Sequence, residues 1–162
     1  ISFLASGGKI LYYSIQKGLV KETFSFARGI EFLHEPALLE LAHRMVERLD
    51  YSGIAHLDFR YQPESDSYFL VDFNARYWST LLGSLTAGVN FPVLATRYSL
   101  DQTPSAPDFH PETFFSTRVA TRLAIRRLAK GKRPGIRIRN SQLFYTIRDP
   151  LPELSMLFRR KA

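Results

Sequence analysis

The chain has 162 residues, of which 45% are hydrophobic and 14% aromatic, enough for one domain with its own core and too apolar for a disordered segment. The absence of cysteine excludes disulfides, thiolate zinc sites and cysteine nucleophiles, while the lack of any apolar run near roughly 18 residues and of a signal-peptide pattern predicts a soluble or at most peripheral protein, expected in the cytoplasm. The net charge of +7 is uneven, with 9 Lys and Arg against 12 Asp and Glu in residues 1–110 but 13 against 3 in residues 111–162, the seam being the Pro-rich loop 102–108.

In chain order, Ile1 to Ala5 and Ile10 to Ile15 are β-prone runs joined by Ser6-Gly7-Gly8-Lys9, and this predicts an opening hairpin. A strand-like run that starts on Ile rather than Met is expected to belong to a longer polypeptide. From Lys17 to Glu31 the pattern weakens to strand pieces and loop. Pro36 suits a first helical position, and Leu38, Leu41, Ala42, Met45, Val46 and Leu49 recur at three- and four-residue spacing, so an amphipathic helix is expected to end before Gly53. Gly53 to Tyr61 and Tyr68 to Arg76 then form a second hairpin around the polar link 62–67. Trp78 to Ala87 and Phe91 to Leu100 read as helices, with Trp78 in the core. In the basic third, Phe114 to Lys130 reads as a helix, Ile136 to Ile147 as one or two strands, and Pro152 to Lys161 as a short helix.

Strand alternation sorts the second hairpin by face. Ala55, Leu57, Phe59 and Tyr61 point one way and His56, Asp58 and Arg60 the other. On the partner strand Phe69, Val71 and Phe73 form the apolar face, while Asp72, Asn74 and Arg76 share the opposite face with Leu70. A turn centred on Ser65 sets Asp58 directly across from Asp72. Two facing carboxylates repel unless a cation or proton holds the site together. Magnesium prefers hard oxygen ligands and shares its shell with phosphates, so Asp58, Asp72 and the Asn74 amide oxygen make a partial site, and Arg76 is placed to grip a phosphate oxygen. The same residues also suit the solvent face of a half-buried antiparallel sheet, where Asp58 simply pairs with Arg60 or Arg76.

Gly53-Ile54-Ala55-His56-Leu57-Asp58-Phe59-Arg60, a short turn, Phe69-Leu70-Val71-Asp72-Phe73-Asn74-Ala75-Arg76, a helix, and Ala87-Gly88-Val89-Asn90-Phe91-Pro92 together resemble the C-terminal half of an ATP-grasp domain of the carbamoyl-phosphate synthase large-chain type. The resemblance covers roughly residues 1–100. It implies an α+β fold, an antiparallel sheet packed with helices, followed by a basic extension over residues 101–162. It also implies ATP with Mg2+, or Mn2+ in its place, held by Asp58, Asp72 and Asn74, with Arg76 near the phosphates or the acyl substrate. The second acidic residue of the family is usually Glu, and Asp72 is a methylene shorter. Arg28, beside Gly29, falls about where the family places Gly-rich and basic residues near the phosphates or the second substrate.

The implied activity is that of a carboxylate-amine ligase acting through an acylphosphate, its substrates a small carboxylate and an amine or similar nucleophile. The family takes its adenine pocket, phosphate-binding lysines and lid from upstream sequence, so this stretch alone is expected to be inactive. The alternative is a degenerate ATP-grasp binding module. Its basic surface would be the helix carrying Arg118, Arg122, Arg126 and Arg127, opposite an apolar stripe of Phe115, Val119, Leu123 and Leu128, and its partner nucleic acid, a membrane or an acidic protein. Such a helix more often docks on its own domain, which disfavours nucleic acid and membrane. His56 reads as structural, and His34, His43 and His110 lack metal-ligand spacing.

Overall fold

The computed structural model describes residues 1–20, 29–102, 104–133, 135–152 and 155. Among these, six strands and five α-helices form an α+β fold: β1 (Ser2–Ser6), β2 (Lys9–Val20), β3 (Gly29–Leu33), α1 (Pro36–Arg48), β4 (Gly53–Gln62), β5 (Ser67–Asn74), α2 (Leu81–Thr86), α3 (Phe91–Ser99), β6 (Thr113–Phe115), α4 (Thr117–Leu128) and α5 (Gln142–Arg148). The chain divides into two compact units, the first comprising Ile1–Lys17 and Glu31–Glu112, the second Gly18–Ile30 and Thr113–Ala162.

The first unit is a sheet ordered β5-β4-β1-β2-β3, and the pairings β1 with β2, β1 with β4 and β4 with β5 are antiparallel. The opening hairpin forms as its glycines require. Gly7 and Gly8 take φ of 52° and 72°, the two left-handed residues of a tight loop whose twist matches that of the strands. Because β1 lies between β2 and β4, a residue of β1 has a direct neighbour on each side.

Side chains of alternate parity leave the sheet on opposite faces, and each face is covered differently. On one face Ile1, Phe3, Ala5, Ile15, Ala55 and Leu57 pack against Leu38, Ala42 and Val46 of α1. Pro36 starts this helix. Asp50, at φ 45°, ends it in a Schellman turn, where Tyr51 N–H bonds the Val46 carbonyl at 3.0 Å and Asp50 N–H bonds Glu47 at 3.1 Å. The turn carries Leu49 out of the expected apolar stripe to 60% exposure. On the other face Leu4 packs with Trp78, Val89, Phe91 and Leu94. The helix expected from Trp78 onwards begins only at Leu81, which leaves Trp78 at the start of the preceding turn with its ring in the core. Asn90 caps α3 by accepting from Val93 N–H at 3.2 Å.

The second unit contains the remaining residues of β2 and β3, the short strand β6 next to β3 in the strand order, α4 and α5. Two expectations are corrected here. Phe114 and Phe115 belong to β6 and the helix starts at Thr117, since the consecutive aromatics suit a strand. The strands expected between Ile136 and Ile147 are a 3-10 turn at Ile138–Asn140 followed by helix α5, whose short apolar run has no fixed period to separate the two types. On α4 the buried residues are Val119 and Ala120, while Leu128 is 58% exposed. The segment from Pro152 to Lys161 lies largely outside the described residues.

Candidate active site

The second hairpin supplies the site. Its link is the four-residue turn Pro63–Asp66, with Asp66 at φ 47° accepting a hydrogen bond from the Tyr61 hydroxyl at 2.8 Å. Pairing runs Gln62 with Ser67, Tyr61 with Tyr68, Arg60 with Phe69 and Phe59 with Leu70, then jumps to Asp58 with Asp72. Val71 is therefore the extra residue of a β-bulge. This turn taken alone would set Asp58 opposite Val71, and the bulge restores the Asp58–Asp72 pair that a turn centred on Ser65 predicts.

The bulge also corrects the facial assignment of β5. Directly paired antiparallel residues share a face, so Leu70 joins Phe59 and Phe69 joins Arg60, the reverse of strict alternation. Phe69 and Val71 do not build an apolar face and are 52% and 62% exposed, whereas Tyr68 and Phe73 pack on the core beneath α1.

Around the two carboxylates the side chains form two short chains. On β5, Arg76 Nη2 donates to Asn74 Oδ1 and Asn74 Nδ2 donates to Asp72 Oδ2, both at 2.8 Å. On β4, His56 Nε2 lies 3.2 Å from Asp58 Oδ1, and His56 Nδ1 lies 2.7 Å from Ser2 Oγ on β1. Asp58, an acceptor only when ionised, fixes the tautomer: Nε2–H donates to Asp58, and Nδ1 accepts from the Ser2 hydroxyl in the singly protonated ring. The His56 hydrogen bond holds the Asp58 carboxyl below the usual carboxylate range against the opposing effect of burial, and the charge of Arg76 acts in the same downward direction.

His56 is 7% exposed, although its alternation with Asp58 marks a polar face. Register explains this. Ser14 pairs with Ser2, Ser2 with His56 and His56 with Asn74, so these four form one row across β2, β1, β4 and β5. The row begins at the fully buried Ser14, whose Oγ lies 3.3 Å from Ser84 Oγ, and reaches solvent at its β5 end. Trp78 covers His56, the two rings stacking at 5.5 Å and 20°. Its indole N–H is buried with no hydrogen-bond partner among the described residues, so what it offers His56 is the face of its ring.

The donor set suits a hard cation. Asp58 and Asp72 supply carboxylate oxygens on one face, and the Asn74 amide oxygen, already accepting from Arg76, keeps a second lone pair. No group of three or more His, Cys, Asp or Glu side chains able to hold a metal occurs among the described residues. The protein shell is thus a partial one, of the kind Mg2+ completes with waters and phosphate oxygens. Arg76 spends one N–H on Asn74 and one on the Tyr77 carbonyl at 3.1 Å, leaving three of its five donors for an anion. Arg28 lies outside the described residues. In the second unit α4 presents an open groove of about 500 Å³ lined by Arg118, Thr121, Arg122, Ile125 and Arg126, with no carboxylate in it.

The family model described as "ATP-grasp in the biosynthetic pathway with Ter operon" matches residues 11–122, well over half of the chain. The chain belongs to the ATP-grasp superfamily. ATP-grasp domains are in general ATP-dependent ligases that use Mg2+, and this chain shares their fold and family pattern. No curated protein matches it. No helix among its described residues is long and apolar enough to cross a membrane.

Signals for Asp58, Asp72, Asn74 and Arg76 were present in the strand alternation. Ser2 and Trp78 were not found that way. Ser2 lies 54 residues before His56 and carried no pattern of its own, though the glycine hairpin that makes β1 a central strand was its one indirect signal.

Proposed function

We propose that this ATP-grasp chain is the metal- and phosphate-binding part of an ATP-dependent carboxylate-amine ligase. The observation that supports the reading is the placement of Asp58 directly across from Asp72, with Arg76 tied to the same face through Asn74. A bound Mg2+ or Mn2+ supplies charge neutralisation to the triphosphate. Asp58 and Asp72 would hold it, with Asn74 orienting Asp72 and offering its amide oxygen. The three unused guanidinium donors of Arg76 stabilise the oxygens of the transferring phosphoryl group.

In the reaction, a substrate carboxylate oxygen takes the γ-phosphoryl group and ADP leaves. The amine then attacks the acyl carbon, inorganic phosphate departs with the carbon–oxygen bond broken, the nitrogen gives up a proton to solvent, and an amide remains. Residues 1–100 carry this site, residues 101–162 form a basic C-terminal extension, and the adenine pocket and lid come from the nucleotide-holding part of the ATP-grasp fold. An ATP-consuming activity of this kind suits the cytoplasm, where ATP is abundant.

The test is ADP release by the full-length protein over panels of carboxylates and amines, with Asp72→Asn as control. Turnover that needs both substrates and Mg2+, and falls at least about 100-fold in Asp72→Asn, is the expected result. Turnover unchanged in that variant would remove the carboxylate pair from the mechanism.

A further inference from the structure

Asp58 is an exposed carboxylate in hydrogen-bond contact with His56. Its side chain is 56% exposed, so packing does not fix it, and a strand aspartate at such a position turns freely about its side-chain bonds unless something holds it. What touches it is His56, and His56 is held on every side. Its Nδ1 is bonded to Ser2, which is fully buried on the neighbouring strand, its ring is stacked on Trp78, and Trp78 is itself wedged edge-on against the buried Phe91 at 4.9 Å.

A buried imidazole is costly unless both nitrogens are bonded. A leucine or phenylalanine would cover Trp78 without that cost, and the second nitrogen here ends not in the core but on a half-exposed carboxylate at the edge of the proposed cation site. On β5 the same job is done by Asn74, which faces His56 in the register and ties Asp72 by one oxygen.

We propose that His56 is a positioning residue for the cation site: clamped by Ser2 and Trp78, it fixes Oδ1 of Asp58 and leaves Oδ2 free on the face shared with Asp72. The inference rests on the cation site proposed above. Paired donors behind paired carboxylates leave one oxygen of each available to a single divalent ion. Outer-shell groups of this type set the orientation of a ligand rather than its presence.

The experiment is a Mn2+ titration followed by electron paramagnetic resonance, using the full-length protein with ADP and comparing wild type, Asp58→Asn, His56→Leu, His56→Gln and His56→Asn. Loss of an orienting group of this kind costs about 10–100-fold in metal affinity, which is the effect expected for His56→Leu. Glutamine places its amide nitrogen where Nε2 stood and should recover most of that affinity. Asparagine reaches only the Ser2 side and should not. Thermal melts identify a variant that fails to fold, and Ser2→Ala, which releases the far nitrogen without emptying the core, then takes its place with a loss of about 10-fold, the low end of that range, expected. Two outcomes overturn the proposal differently. If Asp58→Asn loses Mn2+ while folded His56→Leu and Ser2→Ala bind it as wild type does, His56 is packing only and the cation site stands. If Asp58→Asn also binds Mn2+ like wild type, the cation site falls and the role of His56 with it.

Discussion

His56 and Asn74 face each other across β4 and β5, and each donates a hydrogen bond to the carboxylate two residues along its own strand, His56 to Asp58 at 3.2 Å and Asn74 to Asp72 at 2.8 Å. The arrangement converts an unfavourable pairing of like charges into two carboxylates with one oxygen held and one oxygen open. It is what a site would need to await a cation brought by a nucleotide rather than keep one of its own.

With Val71 in the chain the bulge is what brings Asp72 opposite Asp58 after Phe59 pairs with Leu70, whereas without Val71 the residue following Leu70 is already Asp72. Deleting Val71 should therefore leave Asp58 opposite Asp72 in a regular ladder, with Mn2+ affinity kept and stability changed by no more than about 1 kcal/mol, since Val71 is largely exposed. Mn2+ titration and urea unfolding of the deletion variant check this. A large loss of affinity would show that the local twist of the bulge, and not the register alone, shapes the site.

Gly88 joins the helices behind Trp78, at φ 92°, and a Cβ there would stand 2.0 Å from the Asp108 carbonyl oxygen. Gly88→Ala should destabilise the first unit by more than the ~1–3 kcal/mol that the backbone conformation alone costs a non-glycine residue, because the loop held by His110 N–H on the Ala87 carbonyl must also move. Urea unfolding reads the change.

Tyr68 predicts the alkaline limb of stability. Burial first, then the Glu35 carboxylate by its charge and hydrogen bond, raise its phenol from the ordinary 10.0 to about 12. An acid whose folded pKa is raised keeps its proton longer in the folded state, so its contribution is complete below about pH 10 and declines as pH rises from 10 to about 12, where the unfolded chain ionises first. Tyr68→Phe should flatten that part of a stability-against-pH curve measured by urea unfolding. An unchanged slope would show that other groups dominate it.

Much of this was legible in the chain. The Gly7-Gly8 turn, the Pro36 helix and the alternation around Asp58 and Asp72 are local patterns, and local patterns survive folding when tertiary contacts agree with them. Three features were not legible. Val71 looks like an ordinary β residue, and only the two-against-one pairing reveals it as the bulge. Alternation sets His56 on the polar face with Asp58 and Arg60, while its burial depends on Ser2 and Trp78, one from a distant strand and one from the chain after the hairpin. In the basic third, short apolar runs without a sustained period favoured strands where α5 forms, and a helix where β6 precedes α4.

The most direct test of the account is calorimetric titration of ADP into the full-length protein with and without Mg2+, in wild type and in Asp72→Asn. The account predicts ADP affinity that rises with Mg2+ in wild type, and in Asp72→Asn an affinity to which Mg2+ adds little. Equal enhancement by Mg2+ in both proteins would contradict it, because the metal would then be held without the carboxylate pair.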